Sequence, residues 1–375
     1  MGTLADRIAA VEVPAEWRAR QVVRDGLTET VTGPIAPVAN DDDLIRQFGY
    51  DPDEIEIVGT INQWRKEQPD GSFRVSYYFK HQPKTHRLDL PALYASARRK
   101  PRAALKVTAS PRTTVPVLAD VQAGKQGSRG GTPELVDRLV ETREKLAALL
   151  RVRKPESTVL AEAGDLFEGF ESGGNPMFTN DLSLAQQIDL AATEIYEFVT
   201  LMARHGHVDV LAVPSNHTAW RRGKQNLGRP GDDLGLMTHR QVEKVANAAG
   251  LDATWHFPPM YDEANTLTVR GITLGMVHGN QFAPDGAPKW WAQQQHGGQP
   301  VGGADILISG HYHNLTVKPT GRNPYTSKSK WWLQAPTLDN GSDWFRNTAG
   351  EDSDPGLLVF DITDDGFDLT SLTVL

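Results

Sequence analysis

Between residues 113 and 213, short apolar runs alternate with long amphipathic stretches, and this alternation limits the possible folds more than any other feature of the chain. Thr114 to Ala119 reads as a buried strand, Pro133 to Val152 as a helix and Thr158 to Ala163 as the next strand. Ser183 to Arg204 reads as a second helix, with Ile188, Ala191, Ala192, Ile195, Phe198 and Val199 at helical spacing, and Val208 to Val213 as a third strand. A β-α-β-α-β order calls for parallel strands joined by crossover helices. Beyond residue 265 strands predominate: Thr266 to Val269, Ile272 to Val277, Ile306 to Ser309, Trp331 to Ala335, Leu357 to Ile362 and Leu369 to Leu375. The expected class is α/β, with two layers of mixed sheet and helices outside them.

A different pattern precedes this block. Ile57 to Trp64 and Ser72 to Phe79 flank the turn signal Pro69-Asp70-Gly71 and read as a hairpin, with Asp41 to Gly49 as a short helix before it. The expected organisation is a small N-terminal α+β module over residues 1–100, a basic linker over 101–112 broken by Pro101 and Pro111, and a catalytic domain over 113–375.

Composition narrows the chemistry. The chain has no cysteine, so disulfides, thiolate zinc sites and cysteine nucleophiles are excluded, and any metal must be held by His, Asp, Glu, Asn or Gln. No apolar run approaches the roughly 18 residues of a membrane span, and Asp6, Arg7, Glu12 and Glu16 stand where an apolar signal core would lie. The expected location is cytoplasmic. The net charge of −8 argues against a polyanionic partner, but its distribution does not. Residues 1–56 hold 5 Lys/Arg against 12 Asp/Glu, residues 62–112 hold 12 against 3, and residues 113–375 hold 22 against 32. A basic block is hidden inside an acidic total. It reads either as a solvated face with a linker or as a footprint for nucleic acid.

The polar residues able to bind metal cluster at strand ends. Asp120 follows the first strand in LADVQAGK, Asp165 the second in EAGDLFEG, and Asn216 and His217 the third in VPSNHTAW. His278 ends a later strand in GMVHGNQF, and His311 and His313 end another in ISGHYHN. Ligands gather at the carboxyl ends of strands in open α/β sheets, so sites from five strands can converge on one point. His81, His86, His205, His207, His239, His256 and His296 lack that placement and read as surface or structural, and Trp255, Trp290 and Trp291 read as packing groups.

The order Asp-x-Gln, Gly-Asp, Asn-His, His, Gly-His-x-His resembles the calcineurin-like metallophosphoesterase superfamily, over about residues 114 to 340. The resemblance implies a four-layer β-sandwich flanked by helices and a dinuclear metal site. It implies that Asp120, Gln122 and His313 hold a first ion, that Asn216, His278 and His311 hold a second, and that Asp165 bridges both and serves catalysis with His217. His217 would protonate the leaving oxygen or steady the transition state. Two ions about 3.5–4 Å apart would polarise the phosphorus and activate water. Mixed oxygen and imidazole donors suit Mn²⁺ first, with Fe²⁺, Zn²⁺ or Ni²⁺ as alternatives. The chain departs from the family pattern at Gln122, where a His is usual, and at Ser215, where a Gly is usual. A first site with an amide ligand is expected to bind its ion loosely or to prefer manganese.

The surroundings bear on the substrate. Arg221, Arg222, Lys224 and Arg229 lie beside Trp220 with no carboxylate until Asp232, which suits a nucleic-acid backbone and an unstacked base or, equally, a solubilising loop. Lys125 and Arg129 lie in the glycine-rich run QAGKQGSRGGT, a candidate phosphate loop. Within the superfamily the chain is similar to the DNA repair exonuclease branch, and its N-terminal segment is similar to phosphoesterases encoded by actinobacterial phages. The expected function is a metal-dependent phosphodiester hydrolase, a DNA nuclease of exo or endo type. A small-molecule phosphodiesterase or phosphatase acting on cyclic or other nucleotides is the alternative, and a non-catalytic DNA-binding protein is a further one. The expected partner is DNA, or small phosphate esters in the alternative; no membrane partner is expected, and self-association into a homo-oligomer stays open.

Overall fold

The computed structural model describes residues 20–24, 27–32, 35, 37–48, 50–52, 55–68, 71–83, 90–97, 109–170, 179–222, 225–341, 343, 346, 347, 350 and 354–375. Contacts divide the chain into two units that meet in sequence at residues 87 and 88. The expected linker falls largely outside the described residues.

In the first unit, strands β1 (Arg20–Arg24), β2 (Leu27–Val31), β3 (Ile55–Glu67) and β4 (Phe73–Pro83) form an antiparallel sheet in the order β1-β2-β4-β3, and helix α1 (Asp41–Gln47) lies between β2 and β3 in sequence. The hairpin read from sequence is β3 and β4, and α1 starts where Asn40 accepts from the Asp43 N–H at 2.8 Å. Leu44, Val75, Tyr77 and Phe79 make its small core. Trp64 pairs with Ser76 and Lys66 with Arg74, so these four share the face opposite Val75, Tyr77 and Phe79. Trp64 is 58% exposed, and Lys66 and Arg74 are exposed beside it.

The second unit begins earlier than expected. Helix α2 (Leu90–Ala97), assigned from sequence to the N-terminal module, sits against the later helix spanning residues 184–202, where the Tyr94 hydroxyl donates to the Gln186 carbonyl at 3.4 Å. The expected alternation follows: β5 (Ser110–Leu118), α3 (Thr132–Arg153), β6 (Pro155–Glu162), α4 (Leu184–Met202) and β7 (His207–Ala212). After a two-residue ribbon of β8 (Arg221–Arg222) and β9 (Gln225–Asn226) come α5 (Leu234–Ala249) and β10 (Ala253–His256), neither of which was read from sequence. Then follow β11 (Ala264–Val269), β12 (Ile272–Val277), α6 (Ala287–His296), β13 (Ile306–Ser309), β14 (Thr316–Arg322), β15 (Ser329–Gln334), β16 (Leu358–Thr363) and β17 (Gly366–Val374).

These form two mixed sheets, β10-β7-β6-β5-β16-β17 and β11-β12-β13-β15-β14. The period-2 pattern of the strands decides the layering. Val115, Val117, Val159, Ala161 and Leu211 face Leu274, Met276, Ile306, Ile308 and Leu333 across the inter-sheet core. The alternate residues Leu118, Leu160, Val208 and Val210 face α3, α4 and α5, whereas Val277, Leu307 and Trp332 face α6. The fold is therefore the expected four-layer α/β sandwich flanked by helices, together with a small N-terminal α+β unit. Among the described residues no helix is long and apolar enough to cross a membrane.

Candidate metal centre

Both sheets deliver their polar residues at the same kind of place. Asp120 lies two residues past β5, Asp165 three past β6, Asn216 four past β7, His278 directly after β12, and His311 and His313 two and four past β13. The loops that carry them are bent into the left-handed region. Asp120, Gln122, Asp165, His311 and His313 have φ between 44° and 72°, and they are five of the nine non-glycine residues with positive φ among the described residues. Such conformations persist only where surrounding structure imposes them. Here the loops brace one another: Asp120 N–H donates to the Gly164 carbonyl at 3.1 Å, Gln122 N–H to the Asp165 carbonyl at 2.8 Å, and Gly310 N–H to the His278 carbonyl at 2.8 Å.

One group of ligand atoms converges. One ligand atom each from Asp165, His278 and His311 lies within 4.8 Å of the others. His278 Nδ1 donates to the Ala163 carbonyl at 2.8 Å, which aims Nε2 at Asp165 Oδ2, 3.0 Å away. Apart from that contact with Asp165 the buried Nε2 has no partner, and the buried Oδ1 of Asn216 has no hydrogen bond. Orphaned polar atoms of this kind need an explanation, and a divalent cation supplies one. The residues fit such an ion: one carboxylate, one amide oxygen and two imidazoles. With no cation present, these groups pair with one another. Burial acts to raise the Asp165 carboxyl, but the charges of His217 and His278 outweigh it and hold it well below the ordinary carboxylate range. Burial likewise acts to lower His278, but Asp165 pushes it up to about 9; burial and then the His278 charge push His311 down to about 4.

The other expected ligands are engaged within the protein. Both carboxylate oxygens of Asp120 accept from the His311 N–H, at 3.1 and 2.9 Å, and His313 Nε2 lies 3.3 Å from Asp120 Oδ1. Gln122 Oε1 accepts from Lys125 Nζ at 2.6 Å. Lys125 corrects an expectation. It is not a free cation on a flexible phosphate loop, because its ammonium is paired with the Asp339 carboxylate, whose side chain is 2% exposed. Burial alone would lower its pKa, but Asp339 and Glu168 outweigh that and raise it.

His217 stands beside the cluster. Its backbone N–H donates to Asp165 Oδ1 at 2.9 Å, its Nδ1 lies 2.9 Å from the Glu168 carbonyl and 3.2 Å from Glu168 Oε2, and its Nε2 lies 3.7 Å from Asp165 Oδ2. Burial acts to lower it, yet Asp165 and Glu168 push it up to about 9, so it carries a proton at neutral pH. Arg221 is turned inward, donating to the Asn216 carbonyl at 2.8 Å, whereas Arg222 is exposed; Lys224 lies outside the described residues. Arg229 is paired with Asp232 at 2.9 Å. A cleft of about 160 Å³ opens beside Asn216, lined by Trp220, Arg221, Asn226, Arg229, Glu263 and Gln281 among others.

Three supports of the site escaped the sequence reading. Ser215, visible in the sequence only as a departure from the motif, accepts from the Asp165 N–H at 2.8 Å and bonds Thr218, whose hydroxyl donates to Asp233 at 2.7 Å. Burial pushes that Asp233 carboxyl up to about 6. Behind the Asp165 loop, Trp255 Nε1 donates to His239 Nδ1 at 3.3 Å, His239 Nε2 lies 3.0 Å from Glu162 Oε2, and Glu162 Oε1 accepts from the Gly164 N–H at 2.7 Å. Glu168, on the far side of His217, is the third. Asp165 and Glu168, Ser215 and Thr218, and Glu162 and Gly164 are close in sequence, but the contacts that join these pairs to one another span tens of residues.

Gly164 connects these supports to the cluster. It has φ +98°, and a Cβ there would lie 2.6 Å from Ser215 Cβ and 2.7 Å from His278 Nδ1. Gly164→Ala is expected to lower the unfolding free energy by about 1–3 kcal/mol through strain and overpacking. Chemical denaturation measures it, and a change below about 0.5 kcal/mol would show that the loop is not held as described.

No protein-family model and no curated protein sequence matches the chain. Among solved structures it is similar to zinc-complexed Vps29 from Entamoeba histolytica, at 14% identity over 70% of this chain and 98% of that one, with a TM-score of 0.27. It is similar also to a predicted phosphoesterase from Streptococcus pneumoniae, at 12% identity over 71% of this chain and 99% of that one, with a TM-score of 0.25. A third, PhoD, shares 10% identity over 90% of this chain and 82% of that one, with a TM-score of 0.31. What the site can do follows from its own atoms.

Proposed function

We propose that the second unit is a divalent-metal-dependent phosphoester hydrolase and that its substrate is a phosphodiester of DNA. The observation that carries the hydrolase reading is the convergence of one ligand atom each from Asp165, His278 and His311, to which Asn216 adds a buried amide oxygen with no hydrogen bond. A divalent cation bound there supplies Lewis acidity to a phosphoryl oxygen and lowers the pKa of water. Manganese suits the mixed oxygen and imidazole donors.

The chain's own groups do the rest. Asp165 holds His217 by its backbone and by its charge, and Glu168 holds the ring through Nδ1. The Nε2 proton of His217 is thereby directed at the centre, where it can pass to a leaving oxygen as general acid. Arg221, fixed on the Asn216 carbonyl, and Trp220, 55% exposed, line the approach with a cation and an aromatic face. The first unit supports the nucleic-acid reading independently: Trp64, Lys66 and Arg74 on one face of a hairpin combine a stacking surface with positive charge.

A second reading is favoured by a recess of about 410 Å³ that shares Glu263 and Gln281 with the cleft. Tyr261, Asp262, Glu263 and Trp290 line it and no lysine or arginine does, which suits the uncharged part of a small phosphodiester better than a run of phosphates. Incubation with Mn²⁺ and single-stranded DNA, duplex DNA, cyclic nucleotides and an aryl phosphodiester separates the readings. Hydrolysis of DNA in preference to cyclic nucleotides is expected. Turnover of cyclic nucleotides with DNA left intact would move the assignment to the second reading, and inactivity on every ester with DNA still bound would indicate a binding protein.

A further inference from the structure

The two halves of the expected constellation are built differently. Around Asp165, His278 and His311 the donor atoms face one another, and the buried Oδ1 of Asn216 is left without a hydrogen bond. Around Asp120, Gln122 and His313 a cation is already part of the chain. The Lys125 ammonium lies 2.6 Å from Gln122 Oε1, the atom through which that side chain would ligate an ion, and it is also paired with Asp339.

This placement is constructed rather than incidental. Lys125 N–H donates to the Gln122 carbonyl at 3.0 Å, closing a turn through Gly124 at φ +90°, where a Cβ would lie 2.5 Å from Gln187 Cγ. Asp339 is fixed in turn, its Oδ1 accepting from the Gly341 N–H at 2.5 Å and its N–H donating to the Thr337 hydroxyl at 3.0 Å. The same Thr337 hydroxyl donates to the Asp120 carbonyl at 2.8 Å, so the lysine's partner and the first expected ligand are held by one side chain. A divalent ion on Gln122 Oε1 would share its ligand atom with an ammonium and be repelled by it, and no water layer screens the pair because Gln122 and Asp339 are buried.

We propose that this chain holds a single divalent cation, at Asp165, Asn216, His278 and His311, and that the Lys125 ammonium, locked between Gln122 and Asp339, supplies the positive charge on the other side of the centre. The proposal rests on the metal-dependent reading above and replaces the expected second ion with a side chain. It accounts for the amide at position 122, whose Oε1 accepts from the ammonium.

Metal stoichiometry tests it without reference to activity. The full chain is loaded with Mn²⁺, freed of excess by gel filtration, and examined by elemental analysis and electron paramagnetic resonance. One Mn²⁺ per chain is expected, with the hyperfine-split spectrum of an isolated ion. Lys125→Arg should stay at one. Lys125→Met combined with Gln122→His should rise to two, with an exchange-coupled spectrum, and circular dichroism verifies that each variant is folded. Two coupled ions in the parent chain would overturn the proposal and leave the hydrolase reading intact. No bound Mn²⁺ in the folded parent would overturn both. A folded double variant that remains at one would show that Lys125 is not what bars the second ion.

Discussion

Replacing His217 with Asn is expected to abolish hydrolysis of esters with poor leaving groups while sparing those with good ones. The imidazole is buried against Asp165 and Glu168, which push its pKa up to about 9, so at neutral pH its Nε2 carries a proton directed at the centre. A deoxyribose oxygen needs that proton to depart, and loss of a general acid costs about 10²–10⁴-fold. A p-nitrophenolate departs without it, so the same variant should lose little on a p-nitrophenyl phosphodiester. Asn can still donate toward the Glu168 carbonyl, so the loop keeps one of its anchors. The kcat ratio for a dinucleotide against the aryl ester in parent and variant is the measurement. Equal losses on both substrates would mean that His217 positions the site and does not protonate the leaving group.

How much of this was visible in the sequence depends on how far apart the interacting residues lie. Strands β5, β6 and β7 were legible because their apolar residues run unbroken, as strands buried on both faces must. The site residues were legible because each stands just past such a run. Helix α5 was not, because its buried face is made of Gly235, Leu236, Thr238, His239, Val242 and Ala246, in which small and polar residues replace the aliphatic stripe a periodic reading seeks. Helix α6 buries only Ala287 and Trp291. The misplacement of α2 has a related cause: it is short, and its contact with α4 spans some ninety residues, through Tyr94 and Gln186. The same limit hid Lys125. Its position in a glycine-rich run suggested a free phosphate contact, and only its meeting with Asp339, 214 residues away, shows that the charge is already committed. His239 read as structural, which it is, but the structure it maintains is the Glu162 to Gly164 support of the Asp165 loop.

Asp165→Asn is expected to remove metal binding and activity together. The side chain touches every part of the centre: Oδ2 lies 3.0 Å from His278 Nε2, Oδ1 accepts from His217 N–H, and the backbone N–H is held by Ser215. Asn tolerates the φ of 54° and keeps the shape, so the substitution isolates the charge. The metal-free variant should lose about 1–3 kcal/mol of stability, because the ionised Asp165 is held well below its ordinary pKa by His217 and His278 and that pairing is lost. Hydrolysis should fall by on the order of 10³-fold or more, comparable to removing a preorganised charge from a reaction centre. The sharper readout is linkage. Mn²⁺ at about 100 times its dissociation constant should stabilise the parent by roughly 2.7 kcal/mol, and the variant by almost nothing at the same concentration. Thermal unfolding with and without Mn²⁺ measures both quantities in one experiment. If the variant melts as far above its metal-free midpoint as the parent does, the ion is held elsewhere, and the convergence of Asp165, His278 and His311 is a buried charge network with no metal to hold.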